Sequence, residues 1–104
     1  MAIQINTSNV GDKAIIMLAG RFDFNDHRAF KMTYEPILQQ AGVKTLEINL
    51  AGIEYLDSSA LGMMMLMRER SQVAGKSVVL SKPSETVSQI LEIANFSKLF
   101  TITQ

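Results

Sequence analysis

Cysteine is absent from this 104-residue sequence, and its absence excludes several kinds of site at once. Disulfide frameworks, thiolate metal sites and cysteine nucleophiles all need the missing thiol. An excess of charge of one sign is also lacking, since ten basic and ten acidic residues cancel and no Lys/Arg cluster occurs. Nucleic acid and an anionic membrane surface are therefore not expected as the main partners. A chain without thiols suits a reducing compartment, and we expect a cytoplasmic protein.

Long apolar runs are missing as well. The run from Met63 to Met67 is far too short to span a bilayer, so no membrane insertion is expected. The N-terminus has neither the basic segment nor the apolar core that marks a signal peptide. Because 47% of the residues are hydrophobic, a chain of this length can bury a core, and one domain over residues 1–104 is predicted.

The residues of familiar enzyme sites are scarce. His27 is the only histidine, and no serine stands at a recognisable spacing from it. The sequence contains no phosphate-binding glycine loop, no dinucleotide-binding glycine pattern and no cluster of metal ligands. It therefore predicts no enzyme activity, no cofactor and no bound metal.

Hydrophobic periodicity predicts an α/β fold with the order β-β-α-β-α-β-α-(β). The predicted elements are strands at 3–6 and 14–19, a helix at about 26–41, a strand at 46–50, a helix from 58 to about 74, a strand at 78–80, a helix with Pro83 in its first turn, and a short strand at 100–103. The apolar second strand is typical of one that is covered on both faces. No repeat or linker interrupts this order, so one mixed sheet with about three helices is predicted.

Turn and breaker residues mark the predicted ends of these elements. A turn is predicted over 8–12, a loop over 20–25, and a second turn over 51–58. Pro36 lies inside the first predicted helix, so a kink or two shorter helices are expected there. Gly42 is a natural residue to follow the end of that helix.

Strands that are joined through helices run parallel, and their crossovers are nearly always right-handed. The predicted sheet is therefore mixed, with an N-terminal hairpin followed by parallel strands. The carboxyl ends of the second and third strands meet at one edge, which places the loop over 20–25 beside the turn over 51–58. In open α/β sheets, that edge is the usual place for a site.

The segment Asp57-Ser58-Ser59 lies at this edge, at the start of the second helix. Asp57 or Ser58 can cap the free N–H groups of that helix. A phosphate on a first-turn serine is tolerated, because negative charge at this end stabilises a helix by about 0.3–1 kcal/mol. Phosphorylation adds roughly −1.5 to −2 charges and would change a docking surface without unfolding the helix. On spacing alone, a cap without further function is the more frequent interpretation.

The second helix has two apolar faces. The predicted core face has spacings of three and four and consists of Ala60, Met64, Met67, Ser71 and Ala74. Ser58, Leu61 and Met65 form a second ridge, which Arg68 continues. Flexible apolar side chains outside a core suit a partner surface, but a helix that is buried on most sides explains them equally well. Gly62 either permits close backbone approach or only weakens the helix.

Three segments resemble the STAS domain, the fold of anti-sigma factor antagonists of the SpoIIAA type. They are Leu18–Asp23, which leads from the second strand into the following loop, Ile48–Leu50 in the central strand, and Asp57–Gly62. The last segment is the specific one, because the family's usual form is Asp-Ser-Ser/Thr-Gly-Leu-Gly. Ala60 stands in place of the first glycine, a mild departure that leaves the acceptor serine intact. The resemblance covers nearly the whole chain.

The resemblance implies a phosphorylation-switched anti-sigma factor antagonist. Ser58 would be the phosphorylated residue, with Ser59 as the less favoured acceptor. The implied partners are a serine kinase and anti-sigma factor of the GHKL ATPase type, which binds the unphosphorylated form, and a PP2C-like phosphatase. A monomer is expected. The predicted partner-binding residues are Asp23, Asn25, Asp57, Ser58, Ser59, Leu61, Met65 and Arg68.

Two other interpretations stay open at this point. STAS-like domains also serve as constitutive structural subunits of signalling scaffolds and ABC transporters. The intact Asp57-Ser58-Ser59 segment favours the switch, because a purely structural copy needs no hydroxyl there. Binding of a nucleotide or another small ligand at the same edge has no phosphate-cradling motif to support it.

Overall fold

The computed structural model describes residues 3–104 and contains one five-stranded sheet with three α-helices. The strands are β1 (Gln4–Val10), β2 (Lys13–Phe22), β3 (Thr45–Leu56), β4 (Ser77–Ser81) and β5 (Thr101–Thr103). The helices are α1 (His27–Leu38), α2 (Ser58–Val73) and α3 (Glu85–Ile93), and short 3-10 turns cover Phe24–Asp26 and Phe96–Lys98. The predicted fold class and element order are confirmed.

The order of strands in the sheet follows the order of the chain, β1-β2-β3-β4-β5. β1 and β2 form an antiparallel hairpin, whereas β2, β3, β4 and β5 are parallel. Because each right-handed crossover advances in the same direction, all three helices fall on one face of the sheet. The central strands bury alternate residues beneath those helices, namely Ala14, Ile16 and Leu18 of β2 and Leu46, Ile48 and Leu50 of β3.

No helix formed by residues 3–104 covers the opposite face of the sheet. Met17 of β2 is 38% exposed and Ile15 is half-buried, so the prediction that this strand is covered on both faces is wrong. Polar side chains bridge the strands on this face instead. Glu47 of β3 accepts from the Nζ of Lys13 at 3.2 Å and from the Oγ of Ser81 at 2.8 Å.

The central strands extend further than their apolar patterns predict. β2 continues past Gly20 to Phe22, and β3 continues to Leu56 through most of the predicted turn at 51–58. The pairing reaches Phe22 and Leu56 with two register shifts along the way. Gly52 permits one of these irregularities, because a Cβ at this position would lie 2.8 Å from the Cβ of Ala19. In the same way β1 runs to Val10, which reduces the turn predicted over 8–12 to two residues.

The helix ends also differ from the predictions. α1 ends at Leu38, two residues after Pro36, so it neither divides into two helices nor reaches 41. The C-cap of α1 is Gln39, so Gly42 lies further along the loop and does not directly follow the end of the helix as predicted. α3 begins at Glu85, after the N-cap Ser84, whose Oγ accepts from the N–H of Val87 at 3.2 Å. Pro83 accordingly precedes α3 and is not part of its first turn.

The orientation of α2 follows from its core face. Ala60, Met64, Met67 and Ser71 are fully buried as predicted, and Met63 joins them. The prediction for Ala74 is wrong, because this residue lies after the end of the helix and is exposed. No helix within residues 3–104 combines the length and the hydropathy that crossing a membrane requires.

Candidate partner-binding site

Asp57 connects the two loops at the carboxyl edge of the sheet. It is the N-cap of α2 with extended backbone, and its Oδ1 accepts from the N–H of Ala60 at 2.8 Å. Its Oδ2 accepts from the N–H of Phe24 at 3.2 Å, across 33 residues of sequence. The N–H of Asp57 donates to the carbonyl of Phe22 at 3.3 Å. The predicted meeting of the two loops at this edge is therefore realised through one carboxylate.

Asp26 and Asp23 fix the loop that enters α1. Asp26 is 3% exposed, and its carboxylate accepts from the N–H of Asp23 at 2.9 Å and from the N–H of Ile3 at 3.2 Å. Asp23 caps the 3-10 turn by accepting from the N–H of Asn25 at 3.0 Å. Within residues 3–104, no hydrogen bond joins Asp23 to Ser58. Asp23 and Asn25 lie at the predicted edge, and their contact with a partner stays a prediction.

Ser58 and Ser59 are the first two residues of α2, and both are exposed. Their N–H groups belong to the first turn, which provides no intrahelical acceptor for them. The third N–H group of that turn belongs to Ala60 and donates to the carboxylate of Asp57. The hydroxyl of Ser58 therefore faces solvent beside free N–H donors and the positive end of the helix dipole.

The ridge along α2 has a different composition from the predicted one. Met65 is 46% exposed, but Leu61 is half-buried and packs against the core. At 100° per residue, the outermost line of the helix runs through Ser58, Gly62, Met65 and Glu69. Leu61 lies about 60° from Ser58 around the helix axis, on the side where α2 turns toward the core.

Arg68 has a structural contact that the sequence did not indicate. Its Nε donates to the carbonyl of Leu99, in the turn between α3 and β5. Arg68 is half-buried as a result. Its role in binding a partner stays a prediction, and the contact with Leu99 holds its side chain in place along one side of α2.

Phe24 is an exposed residue at this edge that the sequence-based site prediction did not include. This side chain is 66% exposed, although its N–H is bonded to Asp57. The sequence contained a signal for it, since Phe24 is a large aromatic residue between Asp23 and Asn25, in a loop that was predicted to lie at the site edge. Close by on the strand ends, the guanidinium of Arg21 lies 4.4 Å from the ring centroid of Tyr55.

The polar groups at this edge are engaged mainly with the backbone. The carboxylates of Asp23, Asp26 and Asp57 all accept backbone N–H groups. His27 is exposed at the first position of α1. Over residues 3–104, no three side chains of the usual acidic, histidine or cysteine ligands are grouped to hold a metal ion. The edge presents the exposed residue Ser58 and the exposed side chain of Phe24, whose N–H is bonded to the neighbouring Asp57.

Comparisons with known proteins agree with this architecture. A family model described as Mlab, STAS domain, matches residues 5–102. A STAS-domain containing protein of Pseudomonas aeruginosa (strain UCBPP-PA14) is 37% identical over 103 residues, which cover 99% of this chain and 100% of that protein. The anti-sigma F factor antagonist of Lysinibacillus sphaericus is 29% identical over 84 residues, which cover 80% of this chain and 71% of that protein.

Among solved structures, the Bacillus cell fate determinant SpoIIAA has the same fold. Its unphosphorylated and phosphorylated forms each align with a TM-score of 0.71 at 17% identity. The alignments cover 98% of this chain and 86% and 91% of the two SpoIIAA chains. Since the family match spans residues 5–102 and a relative that is 37% identical over nearly the whole chain contains a STAS domain, the chain belongs to the STAS domain family.

Proposed function

We propose that this protein is a phosphorylation-switched anti-sigma factor antagonist. In its unphosphorylated form it binds an anti-sigma factor that is also a serine kinase of the GHKL ATPase type. Phosphorylation of Ser58 by that kinase releases it, and a PP2C-like phosphatase restores the binding form. The observation that carries the proposal is the exposed Ser58 hydroxyl in the first turn of α2, with the exposed apolar side chains of Phe24 in the adjoining loop and of Met65 two helical turns further along α2.

The relatives support this proposal in two ways. The Lysinibacillus sphaericus protein is named as an antagonist of an anti-sigma factor. SpoIIAA carries the same description and is known in a phosphorylated form. The acceptor segment Asp57-Ser58-Ser59 is intact in this chain and occupies the N-cap and first two positions of α2.

The partner surface extends from the loop before α1 along α2. Phe24 and Met65 provide exposed apolar area, and large apolar anchors contribute most of the binding energy in typical interfaces. Asp57 holds the two segments together through its contacts with Phe24 and Ala60. The proposed contact residues are Asp23, Asn25, Asp57, Ser58, Ser59, Leu61, Met65 and Arg68, together with Phe24.

Release follows from the charge and bulk of the phosphate. The free N–H groups of the first turn stabilise a phosphate on Ser58 by about 0.3–1 kcal/mol, so α2 stays folded. Within an interface, an uncompensated buried charge costs several kcal/mol. A cost of that size weakens binding by several powers of ten, since each factor of ten corresponds to about 1.4 kcal/mol.

The first test captures the kinase and maps the modified residue. The protein is used as bait in a lysate with and without ATP, and the phosphate is then located by mass spectrometry. Recovery of an ATP-binding kinase without ATP, release with ATP, and phosphate on Ser58 are the expected results. A phosphate on Ser59 or elsewhere would contradict the assignment of Ser58.

Substitution at Ser58 tests the switch itself. Ser58→Ala should keep the affinity for the kinase and Ser58→Asp should lose it, because only the second places a charge in the interface. Ser97→Asp is the matched control, since Ser97 is also exposed but lies in the turn after α3. Equal affinities of Ser58→Ala and Ser58→Asp would contradict the switch.

A second candidate function is a constitutive structural subunit of a signalling scaffold or an ABC transporter. The observation that favours it is the description of the matching family model as Mlab and not as an anti-sigma factor antagonist. The same pull-down separates the two candidates. Recovery of an ABC ATPase, insensitive to Ser58→Asp, would favour the structural subunit.

A further inference from the structure

Gly62 is a glycine that the fold itself does not require. It lies within the regular helix α2, where glycine destabilises relative to alanine. Its φ lies outside the left-handed region, and a Cβ at this position would meet no atom within 4 Å. Gly52 shows the contrast, since a Cβ there would lie 2.8 Å from the Cβ of Ala19. Neither the backbone conformation nor the surrounding atoms therefore require a glycine at position 62.

The missing side chain opens a notch on the outer face of α2. Gly62 is one helical turn after Ser58, about 6 Å along the helix axis. The notch has a volume of about 370 Å³ and is open to solvent. It is lined by Gly62, Met65, Leu66, Arg68, Glu69 and Leu99.

The walls of this notch are held by contacts of the fold. The Nε of Arg68 donates to the carbonyl of Leu99, which fixes the turn after α3 against α2. Met65 and Leu66 are 46% and 37% exposed, so the lining is largely apolar, with Arg68 and Glu69 as its charged residues. A preformed apolar recess loses little conformational freedom when a side chain enters it, which favours binding.

We infer that the notch at Gly62 receives one large apolar side chain of the kinase partner, as a direct continuation of the interface at Ser58. This inference rests on the proposed function. A polypeptide is the occupant that fits, because the notch lies on the same outward line of α2 as Ser58 and Met65. The bare backbone at Gly62 permits a contact closer than any other residue would allow. The Ser58 phosphate and the notch then act on one interface, separated by a single helical turn.

The test measures stability and affinity on the same variants. Gly62→Ala should raise the urea midpoint, because alanine favours the helix and meets no steric conflict. It should nevertheless weaken binding of the kinase recovered in the pull-down at least tenfold. Gly62→Leu fills the notch and should weaken binding further. Gly42→Ala is the matched control and should leave the affinity for the kinase unchanged. A Cβ at position 42 would also meet nothing within 4 Å, but Gly42 lies in the loop between α1 and β3.

The outcomes distinguish this inference from the function on which it rests. If wild type binds the kinase and both Gly62 variants bind with unchanged affinity, the notch is not part of the interface and the inference is overturned. If wild type does not bind a kinase, the proposed function fails and the inference fails with it. If light scattering finds a wild-type dimer that Gly62→Leu dissociates in the absence of kinase, the occupant is a second copy of this chain, which also overturns the inference.

Discussion

The carboxylate of Asp57 accepts the N–H of Phe24 with one oxygen and the N–H of Ala60 with the other, at 3.2 and 2.8 Å. One side chain thus caps α2 and holds the loop before α1 against it. Phe24 carries the exposed ring, and Ser58 follows Asp57 directly. The position of Phe24 relative to the start of α2 therefore depends on this residue.

Removal of the Asp57 carboxylate should destabilise the fold and loosen the site together. Asp57→Ala is expected to lower the free energy of unfolding by about 1–2 kcal/mol, the upper part of the range for a lost N-cap, because the bond to Phe24 is lost as well. Urea denaturation measures the change. Ser58→Ala is the control and should stay within about 0.5 kcal/mol of wild type, because Ser58 is exposed. Equal stabilities of the two variants would contradict the double role of Asp57.

Phe24 should matter for binding and not for folding. Its side chain is 66% exposed, so Phe24→Ala is expected to change the free energy of unfolding by no more than about 0.5 kcal/mol. Loss of an aromatic anchor should weaken binding of the kinase by about 2 kcal/mol, a factor of about 30. Calorimetric titration with the captured kinase measures this change.

Ile93 provides the control for Phe24. It is also a large exposed hydrophobic residue, at 84%, but it ends α3 instead of lying beside Ser58. Ile93→Ala should leave the affinity unchanged. Equal losses in the two variants would mean that general surface hydrophobicity, and not position, determines binding.

The sequence was sufficient for the order of elements and for the position of Ser58 at the start of α2. Alternating apolar residues predicted the central strands, and the capping segment at Asp57 predicted the start of α2. The lengths of β2 and β3 were not predictable from the sequence. Pairing between Phe22 and Leu56, which are 34 residues apart, extends both strands through segments that were predicted as a loop and a turn. Such pairing depends on tertiary structure and has no local signal.

The sequence also could not predict which residues of α2 form its outward ridge or what they contact. The choice between Leu61 and Gly62 as the outward residue depends on the exact rotation of the helix, which burial of Met63 determines. The contact of Arg68 with Leu99 joins residues 31 positions apart. Phe24 was visible in the sequence, but only the structure separates an exposed aromatic residue from a buried one such as Phe22.

The stability of the sheet should fall at acid pH through Glu47. The hydrogen bond from Ser81 is the main cause that lowers the pKa of Glu47 below its ordinary value, and Lys13 adds to this effect. A carboxylate with a lowered pKa stabilises the folded state above the pKa of the unfolded chain, about 4.3, and this stabilisation is lost as the pH falls through the folded pKa. Wild type should therefore lose stability progressively below about pH 4.3.

Glu47→Gln isolates this contribution, because glutamine does not titrate. The difference in the free energy of unfolding between wild type and Glu47→Gln should shrink as the pH is lowered from 7 to about 3. Glu92→Gln is the control, since Glu92 is exposed on α3 and has no described bond to another side chain. A difference that does not change with pH would contradict the assigned role of Glu47.

Lys76 should stabilise the fold at the edge opposite the candidate site. It is only 8% exposed, and its Nζ donates to the carbonyls of Gln40 at 2.7 Å and Val43 at 2.6 Å. Lys76→Met keeps much of the length of the side chain but leaves these carbonyls without their donor, so unfolding should become easier by about 1–3 kcal/mol. Urea denaturation measures the loss, and Lys98→Met, at an exposed position, should show almost none. Kinase binding should be unaffected in both variants after correction for the folded fraction, because Lys76 precedes β4 at the amino edge of the sheet, whereas Ser58 follows β3 at its carboxyl edge.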